Sequence, residues 1–291
     1  MTMSVNKLLS IVAIAATLCS CHNEQTATTT FVPDTGEIQL NMVYPNGGTR
    51  VNDQGFEPTD QIGVYVTASD AILQLAGNEV NNELFTYNGT SWTSYRRVYW
   101  NEGLHNLYAY HPYSSDVNDI ENYNFDVQID QSQGDAYSES DFLWASAYGV
   151  AASEEPVTMT FEHKLSKAVV ELVKGEKFDG DIPADAEVYI HGTVTNAVID
   201  LSTGGVAKNG RAAVQSIKCK KVANDKYEAI VVPQSLSSKQ PLVEIISGNI
   251  SYLMYGKLTF RPGYKHTLIV TLNQNPEQIE IEIGGSVDGW E

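Results

Sequence analysis

A chain of 291 residues with 42% hydrophobic, 10% aromatic and 19% charged residues can fill one large or two ordinary globular cores, and is neither a disordered polar chain nor a coiled coil. Lys plus Arg number 18 against 36 Asp plus Glu, a formal net charge of −18. Such a surface repels phosphate backbones, so nucleic acid is not an expected partner.

Residues 1–7 carry one cation, Lys7, ahead of the apolar run Leu8–Leu18. At about 1.5 Å per residue this run makes about 16 Å of helix against a hydrocarbon core of roughly 30 Å, which fits a signal-peptide h-region and not a permanent span. Leu18-Cys19-Ser20-Cys21 then has the pattern of a bacterial lipobox. It predicts that residues 1–20 are removed and that Cys21 becomes the acylated first residue; the competing reading is an ordinary secretory signal ending near a cysteine. With Cys19 discarded and Cys21 lipidated, Cys219 is the one thiol left of three, so no intrachain disulfide forms and the core alone holds the fold. Multiple acyl chains at ~0.8 kcal/mol per buried methylene make a durable membrane anchor. Residues 21–32, rich in threonine, read as a tether.

Period-two alternation recurs in Ile38–Met42, Ile62–Val66, Phe125–Ile129 and Val157–Phe161, each the pattern of a half-buried strand. Further strands are expected at Leu107–Tyr110, Ala168–Val173, Glu187–Ile190, Tyr227–Val232, Leu242–Ile246, Ser251–Tyr255, Lys265–Leu272 and Gln278–Ile283. No long helical period appears. Short strands with antiparallel-style alternation favour an all-β chain of sandwiches over an α/β fold. Charge divides the chain: residues 33–156 hold three cations, Arg50, Arg96 and Arg97, against nineteen acids, whereas residues 157–291 hold fourteen cations against sixteen acids. The step falls at Ala151–Pro156 and predicts an N-terminal domain, 33–156, and a C-terminal domain, 157–291.

The residue types of known chemistries are present without their spacing. Six histidines, His22, His105, His111, His163, His191 and His266, are scattered, and no Cys-x-x-Cys exists, so neither a metal site nor a cofactor is expected. Gly204–Gly210 lacks the Lys-Ser/Thr ending and the helix of a phosphate loop and reads as a hairpin turn. There is no Gly-x-Ser-x-Gly elbow and no Cys–His signature, and carboxylates are too numerous for sequence to single out a glycosidase pair. Asp116–Glu121 lacks the glycine and spacing of a Ca²⁺ loop and reads as solvated. A non-enzyme is expected. Tyr95, Tyr99, Trp100, Tyr108, Tyr110, Tyr113, Trp144 and Tyr148 concentrate in the first half. Exposed, they would form a sugar-stacking platform; in a sandwich they pack across strands or cap the core rim, which is the expectation here.

Several segments together resemble one family. Thr49-Arg50-Val51 leads to Asp60–Val66, then come Val98-Tyr99-Trp100, Leu107–Tyr113 and Asp141–Ala145, and in the second half Val157–Lys167 and Phe260–Tyr264. In this order, behind a lipobox, they are similar to the fimbrillin (Mfa-like, type V pilin) family of Bacteroidetes-type bacteria. The resemblance implies two tandem transthyretin-like antiparallel β-sandwich domains and a lipoprotein of the cell outer membrane. It also implies surface polymerisation, in which proteolysis removes an N-terminal strand and another subunit's strand fills the groove. The implied partners are other fimbrial subunits or further copies of the chain, and family members serve as stalk, tip or anchor. A sandwich that loses a strand exposes unpaired backbone groups and an apolar groove, and strand addition in trans satisfies both. The alternative is a non-polymerising surface lipoprotein that binds glycan or host ligands through the first-half aromatics.

Two segments bear on assembly. No lysine lies between Lys7 and Lys164, so an arginine-specific or trypsin-like protease acting on the first half has Arg50, Arg96 and Arg97 alone. Arg50, in the glycine-containing stretch Asn46–Arg50, is the candidate processing site at the N-terminal side; the alternative is an uncut chain. Ile279, Ile281 and Ile283 share one face of Gln278–Ile283, which is either a donor strand or the closing edge strand of the second domain. Pro276 upstream interrupts the preceding strand. The edge-strand reading is favoured because Trp290 is expected to pack against the same sheet.

Overall fold

The computed structural model of the chain describes residues 36–44, 55–176, 178–248, 250–273 and 280–290, with 280–286 described by their backbone. The first half contributes β1 (Leu40–Val43), β2 (Gln61–Ala68), β3 (Val80–Tyr87), β4 (Trp92–Ser94), β5 (Leu104–His111), β6 (Tyr123–Asp126), a one-turn helix α1 (Ala136–Glu139) and β7 (Leu143–Ala151). There follow β8 (Val157–Thr160), β9 (Glu162–His163), β10 (Ser166–Lys174), β11 (Glu187–Val194), β12 (Asn196–Asp200), β13 (Gly205–Lys208), β14 (Val214–Lys218) and β15 (Lys220–Lys221). The remainder are β16 (Lys226–Val231), β17 (Ser235–Leu236), β18 (Pro241–Ser247), β19 (Ile250–Tyr255), β20 (Leu258–Thr259), β21 (Tyr264–Leu272) and β22 (Glu280–Gly289). Three sheets carry the architecture, in strand orders β4-β3-β2-β5-β7-β9, β15-β16-β10-β21-β22 and β14-β11-β18-β19. Beside them stand the sheet β13-β12-β6 and the pairs β1-β8 and β17-β20.

The six-stranded sheet is buried on both faces. Ile62, Val64 and Val66 of β2, Leu107 and Ala109 of β5, and Leu143 and Ala145 of β7 face a core closed by Ile38, Leu40, Met42, Phe56, Met159 and Phe161. The residues that alternate with them, Tyr65, Tyr108, Tyr110 and Trp144, together with Phe142 just ahead of β7, belong to a second core. There they meet Phe125 of β6, Val170 of β10, Ile199 of β12, Ala229 of β16 and Val270 of β21. Each of the Val, Leu, Ile, Met and Phe side chains among them contributes roughly 1.5–3 kcal/mol by leaving water. The expected half-buried strand at Ile62–Val66 is therefore corrected, because a second layer covers the face that alternation assigns to solvent.

All-β sandwich packing, the class expected, is what these sheets build. Three expectations change in detail. β1 pairs with β8, and β10 with β21, in parallel, so the antiparallel alternation does not extend to every neighbour; long crossovers bring these strands side by side. The strand expected at Phe125–Ile129 ends at Asp126, and Ile129 is exposed. Gly204–Gly210 is not the turn: the turn lies at Leu201–Gly204, with Gly204 at φ +69°, and residues 205–208 are β13. Both cores cross the charge step: Met159 and Phe161, from beyond it, lie in the first core, while Tyr65, Tyr110, Tyr123 and Phe125, from before it, lie in the second. Cys219 is a free, buried thiol whose pKa burial pushes well above the ordinary range.

Candidate functional site

The candidate site is the seat of the first strand. Along residues 36–44 Ile38, Leu40, Met42 and Tyr44 are buried while Gln39 and Asn41 are exposed, the alternation of an extended segment with one face in a core. Its C-terminal part is laddered to β8, Leu40 opposite Val157 through Val43 opposite Thr160, with the Val157 N–H donating to Gln39 O at 2.8 Å and the Phe161 N–H to Val43 O at 2.8 Å. Its N-terminal part bonds elsewhere: Ile38 N–H donates to Val98 O at 2.8 Å, and Trp100 N–H to Gly36 O at 3.1 Å. Arg97 Nε stands 4.0 Å from Glu37 Oε2, and both groups are exposed, so this pair adds little. Four buried side chains contribute on the order of 6–12 kcal/mol before ordering costs.

Beside the strand runs a groove of about 920 Å³, lined by Ile38, Leu40, Met42, Phe85, Trp92 and Arg97 among others. β4, the end strand of the six-stranded sheet, supplies Trp92. Aromatic rings floor the seat: Phe56 meets Tyr44 at 5.5 Å, Trp92 at 4.9 Å and Phe161 at 5.3 Å, all edge-on, the arrangement ring quadrupoles favour. At the strand's end Tyr44 abuts His163, whose Nδ1 is 3.1 Å from Asp141 Oδ1.

Of the residues singled out from sequence, Cys21, Arg50 and Ile279 lie outside the described residues. Ile281 and Ile283 lie in β22, opposite Val270 and Leu268 of β21. Trp290 is buried in the second core, with Leu268 and Val270 of β21 among its members, and its ring also stacks on His163 of β9 at 3.8 Å. Trp100, Tyr108, Tyr110 and Trp144 are buried, leaving Tyr95, Tyr99 and Tyr148 as the well-exposed members of the aromatic set. Among the described residues no group of three His, Cys, Asp or Glu side chains is placed to hold a metal ion.

Sequence reasoning missed two constellations. One is the aromatic and carboxylate shell of His163. The other is a row across the exposed face of the four-stranded sheet, where His191 Nδ1 lies 2.6 Å from Ser216 Oγ and Nε2 lies 2.9 Å from Glu244 Oε2. Its members sit on β14, β11 and β18, so no spacing along the chain announces it; Ser216 is exposed, and the row acts as a cross-strand polar ladder. A cleft near β2 holds Asp60, whose carboxyl burial raises above the usual range against the opposing Glu57 N–H and His111 charge.

The chain is thus a two-core β-sandwich protein with its first strand seated in an aromatic groove. Residues 49–290 match the fimbrillin-like family, and the chain belongs to that family. It is 30% identical over 160 residues to a Bacteroides ovatus protein named as a candidate fimbrium tip subunit, a stretch that is 48% of this chain and 28% of that relative. Over 259 residues, 83% of this chain and 81% of the relative, it is 24% identical to a Bacteroides uniformis protein named as a candidate fimbrium subunit. The crystal structure of a candidate cell adhesion protein from Bacteroides ovatus has the same fold, with a TM-score of 0.70 at 20% identity over 88% of this chain and 98% of that one. Its counterpart from Bacteroides uniformis has a TM-score of 0.69 at 21% identity over the same shares.

Proposed function

We propose that this chain is a cell-surface fimbrial subunit that assembles by β-strand exchange, with its first strand as the segment exchanged out. The observation that supports this reading is the first strand itself. It closes an aromatic core with four alternating apolar side chains, yet among the described residues its backbone bonds go to β8 and to a short stretch at Val98–Trp100. Cutting after Arg50 would sever it from the rest of the chain, and the groove would then take an equivalent strand from another subunit. Cys21 would carry the lipid that holds the unprocessed chain at the outer membrane. The chain is read as two tandem domains divided near residue 156, with β8 and β9 serving the first, and as having no catalytic role.

Treating the mature protein with an arginine-specific protease and imaging it by electron microscopy tests the reading. Filaments or ladders from a chain that begins at residue 51 are expected. Material that stays monomeric after that cut overturns strand exchange, and surface protein that begins at residue 21 overturns the processing step. Palmitate incorporation should be lost in Cys21→Ala.

A further inference from the structure

We propose that His163 couples the two ends of the chain, so that departure of the first strand loosens β22. This rests on the reading of the first strand as removable. The His163 side chain is 1% exposed and its Asp141 partner 5% exposed, with Nδ1 to Oδ2 at 3.0 Å. One face of the imidazole is covered by Trp290, at 3.8 Å and 7° between planes. Tyr44 closes a second side, edge-on at 5.4 Å and 84°. Tyr44 belongs to the first core and Trp290 to the second, so His163 is the point where the first strand and the last are in contact with one ring.

The consequence follows from how the end of β22 is held. It is the end strand of its sheet, and among the described residues its ladder is to β21. Val287, Asp288 and Gly289 are exposed, and Trp290 after them is buried, with its N–H donating to Gly263 O at 2.8 Å. Trp290 is thus the anchor of that end. Removing Tyr44 opens the His163–Asp141 pair to water and weakens a stack that depends on a fixed, desolvated ring, which loosens the Trp290 end of β22. Because binding linkage is reciprocal, loss of Trp290 loosens the first strand in turn. In an assembling subunit this makes processing at one end the signal that frees the other.

Amide hydrogen exchange on the full mature chain tests the coupling. Tyr44→Ala should speed exchange across 280–289 by about three- to tenfold, the worth of an aromatic pair. Tyr44→Phe, which keeps the ring edge, and Ile38→Ala, which loosens the same strand without touching His163, should leave those amides unchanged. Should Tyr44→Ala not fold, Trp290→Ala gives the reciprocal measurement, with faster exchange expected at 38–43. Unchanged exchange in Tyr44→Ala, or equal acceleration in Ile38→Ala, overturns the proposal. Filament formation is scored separately: coupled exchange in a chain that never polymerises removes the fimbrial reading and keeps the coupling, and uncoupled exchange in a polymerising chain does the reverse.

Discussion

Gly63 shows how a single position carries the two-sided sheet. A Cβ there would stand 2.6 Å from both Tyr110 Cζ and Asn82 Oδ1, because the Tyr110 ring crosses β2 to place its hydroxyl 2.8 Å from that Asn82 oxygen. Gly63→Ala is expected to cost about 1–3 kcal/mol through overpacking, read as a lowered urea midpoint at unchanged slope. His266 gives a pH dependence. Burial, and then the Arg261 charge, hold its pKa below the ordinary value, and its Nε2 accepts the Arg261 N–H at 3.0 Å, which requires the neutral ring. Above about pH 6.5 neither folded nor unfolded state binds the proton; below it the unfolded state binds more, so stability falls as pH falls. Comparing urea midpoints at pH 7 and pH 5 should show a smaller loss in His266→Leu than in the parent. An equal loss would assign the titration elsewhere.

Among the elements, β1 and β22 are the ones whose removal has a functional meaning. Met42→Ala should destabilise by about 2–5 kcal/mol, whereas Asn41→Ala on the exposed face should stay within about 0.5 kcal/mol; equal effects would place the strand out of its seat. Truncation after Asn275 should lower the monomer's Tm by about 5 °C or more, since β21 loses its only partner on that side. Unchanged melting with lost filaments would make β22 a donated strand. The strands legible in the sequence, such as β1, β8 and β21, are those where polar and apolar residues alternate against one core. β3, Val-Asn-Asn-Glu-Leu-Phe-Thr-Tyr, was not legible because asparagine and glutamate are poor strand formers; Glu83 is buried there with its Oε2 accepting from Arg96 Nη2 and Nε at 2.8 and 3.1 Å and its Oε1 from the Arg96 N–H at 2.7 Å, a partner thirteen residues away. β7 was obscured by its small residues and by Trp144, which turns to the second core to donate its Nε1–H to Leu201 O at 2.8 Å.

At the scale of the whole molecule, a net charge of −18 sets a repulsion between copies that any assembly must overcome. The Debye length falls from about 30 Å at 0.01 M salt to about 10 Å at 0.1 M, so self-association of the processed chain should rise with salt over that range in light scattering. A fall would mean that complementary charges hold the subunits together.

Composition, the lipobox pattern, the alternation of the strands and the ordered strings of the family resemblance are local, and the sequence by itself determined the all-β class, the family and the character of the first strand. The tertiary structure decided which faces are inside. Side-chain direction along a strand is set by period two, but whether the second face meets water or a second core depends on strands far away in the chain, as Tyr65, Tyr110 and Trp144 show. It also decided that Tyr44, Asp141, His163 and Trp290 meet. Contacts between residues this distant in sequence are made by packing, which no periodicity records.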